Sequence, residues 1–192
     1  MPKILSVDAG FRTGWAVVEP GRPPITGSTP IPGSADALGL ACHHFGHLVK
    51  HLIEEHQPTD MVICTPFVGA FSFKTKTGLK RMTPNIDPIK VVFGLYGMAK
   101  AVAHTQNIVI HDLYEPSVRA AFDVRVPRGT PKKKRHKVLK GAVIEKCREY
   151  GWLVKDDHAG DALLAAVYML GRLMPQLAHM TTPLFAGRKK SA

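Results

Sequence analysis

Three carboxylates stand where they could do chemistry. Asp8 closes a short apolar run (Ile4, Leu5, Val7); Gly10 and a second apolar run (Trp15, Ala16, Val17, Val18) follow. Two β-prone runs joined by a glycine-containing turn read as a hairpin. A carboxylate at the end of a buried strand is costly to desolvate unless a cation or a hydrogen-bond donor meets it. Asp8 is therefore either a turn acid capping backbone amides or the first ligand of a metal site. Asp157 and Asp161 open a helical stretch (Ala162, Leu163, Leu164, Ala165, Ala166). At a spacing of four they share one helix face, one turn apart. A capping role accounts for one acid: Asp156 or Asp157 as N-cap, with Asp161 complementing the helix dipole. Two acids on one face, beside alanines small enough to press against a sheet, suit a hard cation better.

The elements that must position these acids follow from the hydrophobic periodicity. Residues 20–35 are rich in Pro, Gly and Ser around Ile25–Ile31 and read as a third, edge-like strand, where proline is tolerated. Ser34 or Asp36 is then expected to cap a helix over 36–56, with Leu38, Ala41, Phe45, Leu48, Val49 and Leu52 on one side. His43, His44, His47 and His51 fall broadly opposite, as a solvated or partner-facing stripe rather than a metal pair. A short central strand is expected over 60–68. Segment 69–87 reads as a long, basic, irregular loop in which Phe71 and Phe73 interleave with Lys74, Lys76, Lys80 and Arg81. Aromatics beside cations suit unstacked bases and phosphates; a loop whose phenylalanines pack locally is the plainer alternative.

A helix over 88–105 is apolar over much of its circumference, with Gly94 and Gly97 allowing close approach, so it is buried or sits at a subunit interface. A last core strand at 108–113, a short helix at 116–122 and helices over 136–150 and 157–174 complete the pattern. The fold class is α/β: a five-stranded mixed sheet, its first three strands antiparallel, flanked by helices. One domain is expected over 1–178, followed by a basic tail over 179–192.

The chain has 192 residues and a formal net charge of +11, large for its size, which argues for a polyanionic partner. No run approaches the ~18–20 apolar residues of a membrane span, and the N-terminal stretch lacks a secretory h-region. Cys42, Cys64 and Cys147 are odd in number and widely spaced, which excludes a disulfide framework or a zinc spacing and suits a reduced, cytoplasmic protein. The densest charge lies over 124–140, with Arg125, Arg128, Lys132, Lys133, Lys134, Arg135, Lys137 and Lys140. It could be a localisation signal or a solvated loop. Directly before the acidic helix and the one preceding it, it reads better as a phosphate clamp.

Taken together, D-x-G with R-x-G-W-A (Asp8 to Ala16) and D-H-x-G-D-A-L (Asp157 to Leu163) resemble the retroviral-integrase/RNase H superfamily. Within it they are most similar to the RuvC-type Holliday-junction resolvases, particularly those of phages, over residues 3–172. The resemblance implies an RNase H-like fold and a homodimeric endonuclease, paired through the 88–105 helix, that cleaves four-way DNA junctions with two Mg²⁺ (or Mn²⁺) ions. Of the family's four acids, Asp8, Asp157 and Asp161 match three as metal ligands. It also implies a catalytic lysine near the metals, for which Lys137 and Lys140 fit and Lys140 is favoured. An aromatic entering the junction is implied as well, with Phe67, Phe71 and Phe73 as candidates.

The fourth-strand acid is where this chain departs. In MVICTPFVG (61–69) its place falls on Cys64 or Thr65, and the Pro66–Phe67 match favours Cys64. Neither is a good Mg²⁺ ligand, since thiolates suit soft metals and a neutral hydroxyl adds no charge. An inactivating substitution, a natural degenerate resolvase, or an acid supplied from elsewhere would explain it, with Asp60 and Glu115 the nearest acids. The competing functions are a non-catalytic junction-binding protein and a YqgF-type RNA-processing nuclease; the basic insertions weigh against the latter.

Overall fold

A computed structural model describes residues 1–66, 72–75, 78–81 and 86–176, with residues 72–75, 78–81 and 86–88 as backbone only. Strand β1 (Ile4–Asp8) alternates between two interiors: Ile4 joins one apolar cluster, while Leu5 and Val7 join the other. Burial on both faces is what a central strand requires when helices cover both sides of its sheet. β2 (Arg12–Val18) pairs antiparallel with β1, and β3 (Ile25–Pro30) pairs antiparallel with β2. After helix α1 (Leu38–His56), β4 (Asp60–Cys64) runs parallel to β1. β5 (Ser72–Thr75) and β6 (Gly78–Arg81) form a separate two-stranded ribbon. Helix α2 (Ile86–Thr105) leads to β7 (Val109–Leu113), parallel to β4. Helices α3 (Glu115–Ala121), α4 (Lys132–Glu149) and α5 (Asp157–Leu173) follow. The five-stranded mixed sheet has the order β3-β2-β1-β4-β7, as the α/β reading expected, with proline-bearing β3 at an edge.

Helices α1 and α2 cover one face around Phe45, Leu52, Ile63 and Leu95. Helices α3, α4 and α5 cover the other around Val62, Leu113, Val143, Leu163 and Leu164. Each large side chain buried there contributes about 1.5–3 kcal/mol. Alternation decides which strand residues meet α5. Ile4 and Val62 lie in the α5-side cluster, so Asp8, four residues after Ile4, and Cys64, two after Val62, point to that same side.

α5 approaches β2 closely at Gly14. A Cβ built there would collide with the backbone carbonyl of His158 and come within 2.8 Å of the Ala159 amide nitrogen. Backbone cannot swing aside as a side chain can, so Gly14→Ala must push the acidic end of α5 away from the sheet. Overpacking of this kind costs about 1–3 kcal/mol. Urea unfolding is expected to show that loss for Gly14→Ala and almost none for Gly141→Ala, whose added Cβ meets open space.

The chain departs from the sequence reading in four places. α1 starts at Leu38 with Ala37 as N-cap and no side-chain cap. Ser34 instead accepts a 3.2 Å hydrogen bond from the Ala37 amide in the preceding turn, and Asp36 does not cap. Of the two α2 glycines, a Cβ on Gly94 would come within 3.1 Å of Leu38, but one on Gly97 would face open space. The segment expected to be irregular contains the β5–β6 ribbon, because short runs with Phe73, Thr75 and Leu79 pair across it. Finally, α4 begins at Lys132 rather than 136, since Pro131 fixes its entry and lysine and arginine are good helix formers. No helix among the described residues is long and apolar enough to cross a membrane. Residues 179–192, expected as a basic tail, lie outside the described residues.

Candidate active site

Strands β1, β4 and β7 run parallel, and their C-terminal ends lie side by side, with Val7 level with Ile63 and Cys64 level with Leu113. In open α/β sheets this edge is where ligands are bound. A cavity of about 310 Å³ opens there, lined by Asp8, Cys64, Thr65, Pro66, Tyr114 and Glu115 among others. The N-terminal turns of α5 lie over the same edge and bring Asp157, His158 and Asp161. Asp156 is the N-cap of α5, accepting a 3.0 Å hydrogen bond from the Ala159 amide and a 2.5 Å one from the Ser28 hydroxyl. Although burial works against it, these donors hold the Asp156 carboxyl below the usual carboxylate range.

Each of the three acids is met by a different base. His158 Nδ1 lies 3.3 Å from Asp8 Oδ2. Lys140 Nζ lies 2.6 Å from Asp157 Oδ2. Arg119 grips Asp161 with both arms of its fork, Nε donating to Oδ1 at 3.2 Å and Nη2 to Oδ2 at 2.9 Å. The same Nη2 lies 2.5 Å from Glu115 Oε1, one turn back along α3. Burial pushes the Asp161 carboxyl up; Arg119 opposes this, while Asp8 and Asp157 add to it. Burial likewise raises Glu115, against Arg119 and with Asp161 and Asp8. The Cys64 thiol is pushed far up by burial first, then by the negative charges of Asp8, Glu115 and Asp161.

The oxygen donors Asp8, Asp157, Asp161 and Glu115 fit a hard divalent cation, and Cys64 does not. Among the described residues, however, no three His, Cys, Asp or Glu side chains are gathered to hold an ion. The acids are instead paired with His158, Lys140 and Arg119.

The hydrogen bond to Asp8 raises the pKa of His158 above its usual 6.5, with Asp157 adding to it and burial and Lys140 opposing. A raised histidine stabilises the fold fully below its unfolded pKa and loses that effect as pH rises through its folded value. An NMR titration is expected to place the His158 midpoint above 6.5, and Asp8→Asn to lower it.

The structure thus brings Asp8, Asp157, Asp161, Lys140, Cys64 and Thr65 to one place. Asp60 is elsewhere: it starts β4 and binds His111 at 2.7 Å, about 13 Å from Cys64 at 3.3 Å per residue. Arg119 and His158 were missed by sequence reasoning. Lys132, Lys133, Lys134, Arg135 and Lys137 are exposed on the first turns of α4, and Arg128 is exposed in the loop before it. Phe67, Phe71 and Lys76 lie outside the described residues, as do the side chains of Phe73, Lys74, Lys80 and Arg81.

No protein-family model matches the chain, and no curated protein matches its sequence. Solved structures do match. The chain is similar to Thermus thermophilus RuvC in complex with a Holliday junction substrate, with TM-score 0.59 and 12% identity over 90% of this chain and 96% of that one. Thermus thermophilus RuvC alone gives 0.57 and 14% over 89% and 96%. The yeast mitochondrial Holliday junction resolvase Ydc2 gives 0.50 and 10% over 85% and 75%. At these identities the likeness is one of fold, and the fold is RNase H-like, as in RuvC.

Proposed function

We propose that this protein is a homodimeric, structure-selective endonuclease that binds four-way DNA junctions and hydrolyses their phosphodiester backbone. One observation carries the reading: Asp8 on β1 and Asp157 and Asp161 on α5 converge at the C-terminal edge of the parallel strands, on a RuvC-like fold. Those three acids would hold Mg²⁺ or Mn²⁺, which when bound lowers the pKa of an attacking water and stabilises the leaving oxygen. The chain's own bases do the rest. Lys140, beside Asp157, would pair with a backbone phosphate, and Arg119 would offset charge next to Asp161. The first turn of α4 carries lysines and no acids, which disfavours a bare helix N-terminus and favours one with phosphate beside it. Beyond the face packed on α1, helix α2 leaves Phe93 exposed, a surface suited to a second copy. A two-fold dimer matches the near two-fold symmetry of a four-way junction.

A second reading, a resolvase-like protein that binds junctions without cutting, is favoured by Cys64 in the fourth-strand place and by the base on every acid. The test is binding and cutting of an immobile four-way junction against a linear duplex, in Mg²⁺ and then in Ca²⁺. Junction-selective binding with symmetric nicking in Mg²⁺ is expected. Selective binding without nicking would establish the second reading. No junction preference in either metal would overturn both and turn attention to RNA substrates.

A further inference from the structure

We infer that Glu115, the first residue of α3, supplies the carboxylate that β4 lacks, making it the fourth acid of the nuclease site. This rests on the endonuclease reading above. The argument is topological first. β4 and β7 are parallel neighbours, Cys64 is level with Leu113, and the Thr65 amide donates to the Leu113 carbonyl at 2.7 Å. Glu115 follows Leu113 by two residues. It therefore emerges at the sheet edge where Cys64 ends its strand, one strand over, and both side chains line the cavity that Asp8 enters. Tyr114 is the N-cap of α3 and Pro116 lies in the first turn, so the backbone that presents Glu115 is fixed by a proline φ.

The second observation is a cation already in place. Arg119 Nη2 lies 2.5 Å from Glu115 Oε1 and 2.9 Å from Asp161 Oδ2. The two carboxylates therefore converge on a single positive group, and the space between them accepts charge. Phosphate competes well with carboxylate for a guanidinium fork. A DNA backbone arriving at the site would draw Arg119 toward itself and leave Glu115 and Asp161 facing a gap suited to a divalent ion. Asp60, the other acid near β4 in sequence, cannot serve, because it lies at the far end of the strand bound to His111. Cys64 cannot serve either: sulfur suits soft metals and is a poor ligand for Mg²⁺.

The test compares the full-length chain with Glu115→Gln, Cys64→Glu and the double variant Cys64→Glu/Glu115→Gln. Three readouts are taken on each: junction binding in Ca²⁺ by fluorescence anisotropy, Mn²⁺ uptake in the presence of uncut junction by electron paramagnetic resonance of free Mn²⁺, and nicking in Mg²⁺. Glu115→Gln is expected to keep junction binding, to weaken Mn²⁺ uptake by about 10- to 100-fold, and to slow nicking by about 100-fold or more. In the double variant a glutamate back on β4 should restore both Mn²⁺ uptake and nicking, which a merely structural Glu115 would not allow. The inference is overturned if Glu115→Gln takes up Mn²⁺ and nicks as the parent does. It is equally overturned if the parent takes up no Mn²⁺ while Cys64→Glu does, or if the folded double variant stays inactive. Loss of junction preference in the parent would instead count against the endonuclease reading, so the two failures are separable.

Discussion

Arg119→Met is expected to lower the unfolding free energy by about 3 kcal/mol, near the low end of what breaking a buried ion pair costs. The low end is apt because the pair is only partly enclosed, the Arg119 side chain being 22% exposed and that of Asp161 13%. Methionine keeps much of the aliphatic packing and removes the fork. Asp161 and Glu115 are then left near each other without their shared guanidinium, with Asp8 nearby and paired to His158. The pH dependence has a definite sign. A carboxyl whose folded pKa is raised penalises the fold at pH above that value, and the penalty fades as pH falls through it. Without Arg119 the rise in Asp161 and Glu115 grows, so the variant should recover part of its deficit on acidification from pH 7.5 to 5. Urea unfolding at both pH values measures this. Arg119→Lys is expected to fall between, since an ammonium keeps the charge and loses the two-armed geometry. A deficit below about 1 kcal/mol at pH 7.5 would place the fork with ordinary surface pairs.

If the protein binds junctions as proposed, the largest effect on that binding should come from α4. Replacing Lys132, Lys133, Lys134, Arg135 and Lys137 together by glutamine removes five exposed cations from two helical turns. Each phosphate contact contributes about 0.9 to the slope of log K against log salt. The slope should therefore flatten by up to about 4.5, and affinity at low salt should fall by orders of magnitude. The fold should hold, because these side chains are exposed and lysine at a helix N-terminus opposes the macrodipole. The ratio of junction to duplex affinity should change little, since phosphate contacts position a protein without reading structure. An unchanged slope would move the phosphate contacts to another face.

The two ends of the candidate site were legible in the sequence because their signals are local. Asp157 and Asp161 declare a shared face by their spacing, and Asp8 stands where an apolar run stops. The sheet was legible for the same reason, through alternation in β1 and β4 and helical stripes in α1 and α5. The bases were not. Arg119 meets Asp161 across 42 residues, and nothing near Arg119 in the chain announces that partner. Its spacing of four from Glu115 was visible, but such pairs are common on exposed helices and carry little weight. His158 sits between two noted acids, yet its partner Asp8 lies 150 residues away in the chain. The start of α4 was placed late because a run of like charge was read as a loop, when Pro131 was the stronger boundary signal.

The closeness of α5 to β2 bears on how the protein is made. Asp8 and His158 touch across 150 residues of sequence, and Ser28 and Asp156 across 128. Contacts of such separation are slow to form, because a long loop must close before they gain anything. On a ribosome the first strands and α1 can pair and collapse while α5 has yet to be synthesised. Until α5 docks, Asp8 has neither its histidine nor the two acids that complete its surroundings. However much of the sheet has paired before that last helix is in place, the nascent chain lacks the cluster of charged side chains that the finished fold assembles.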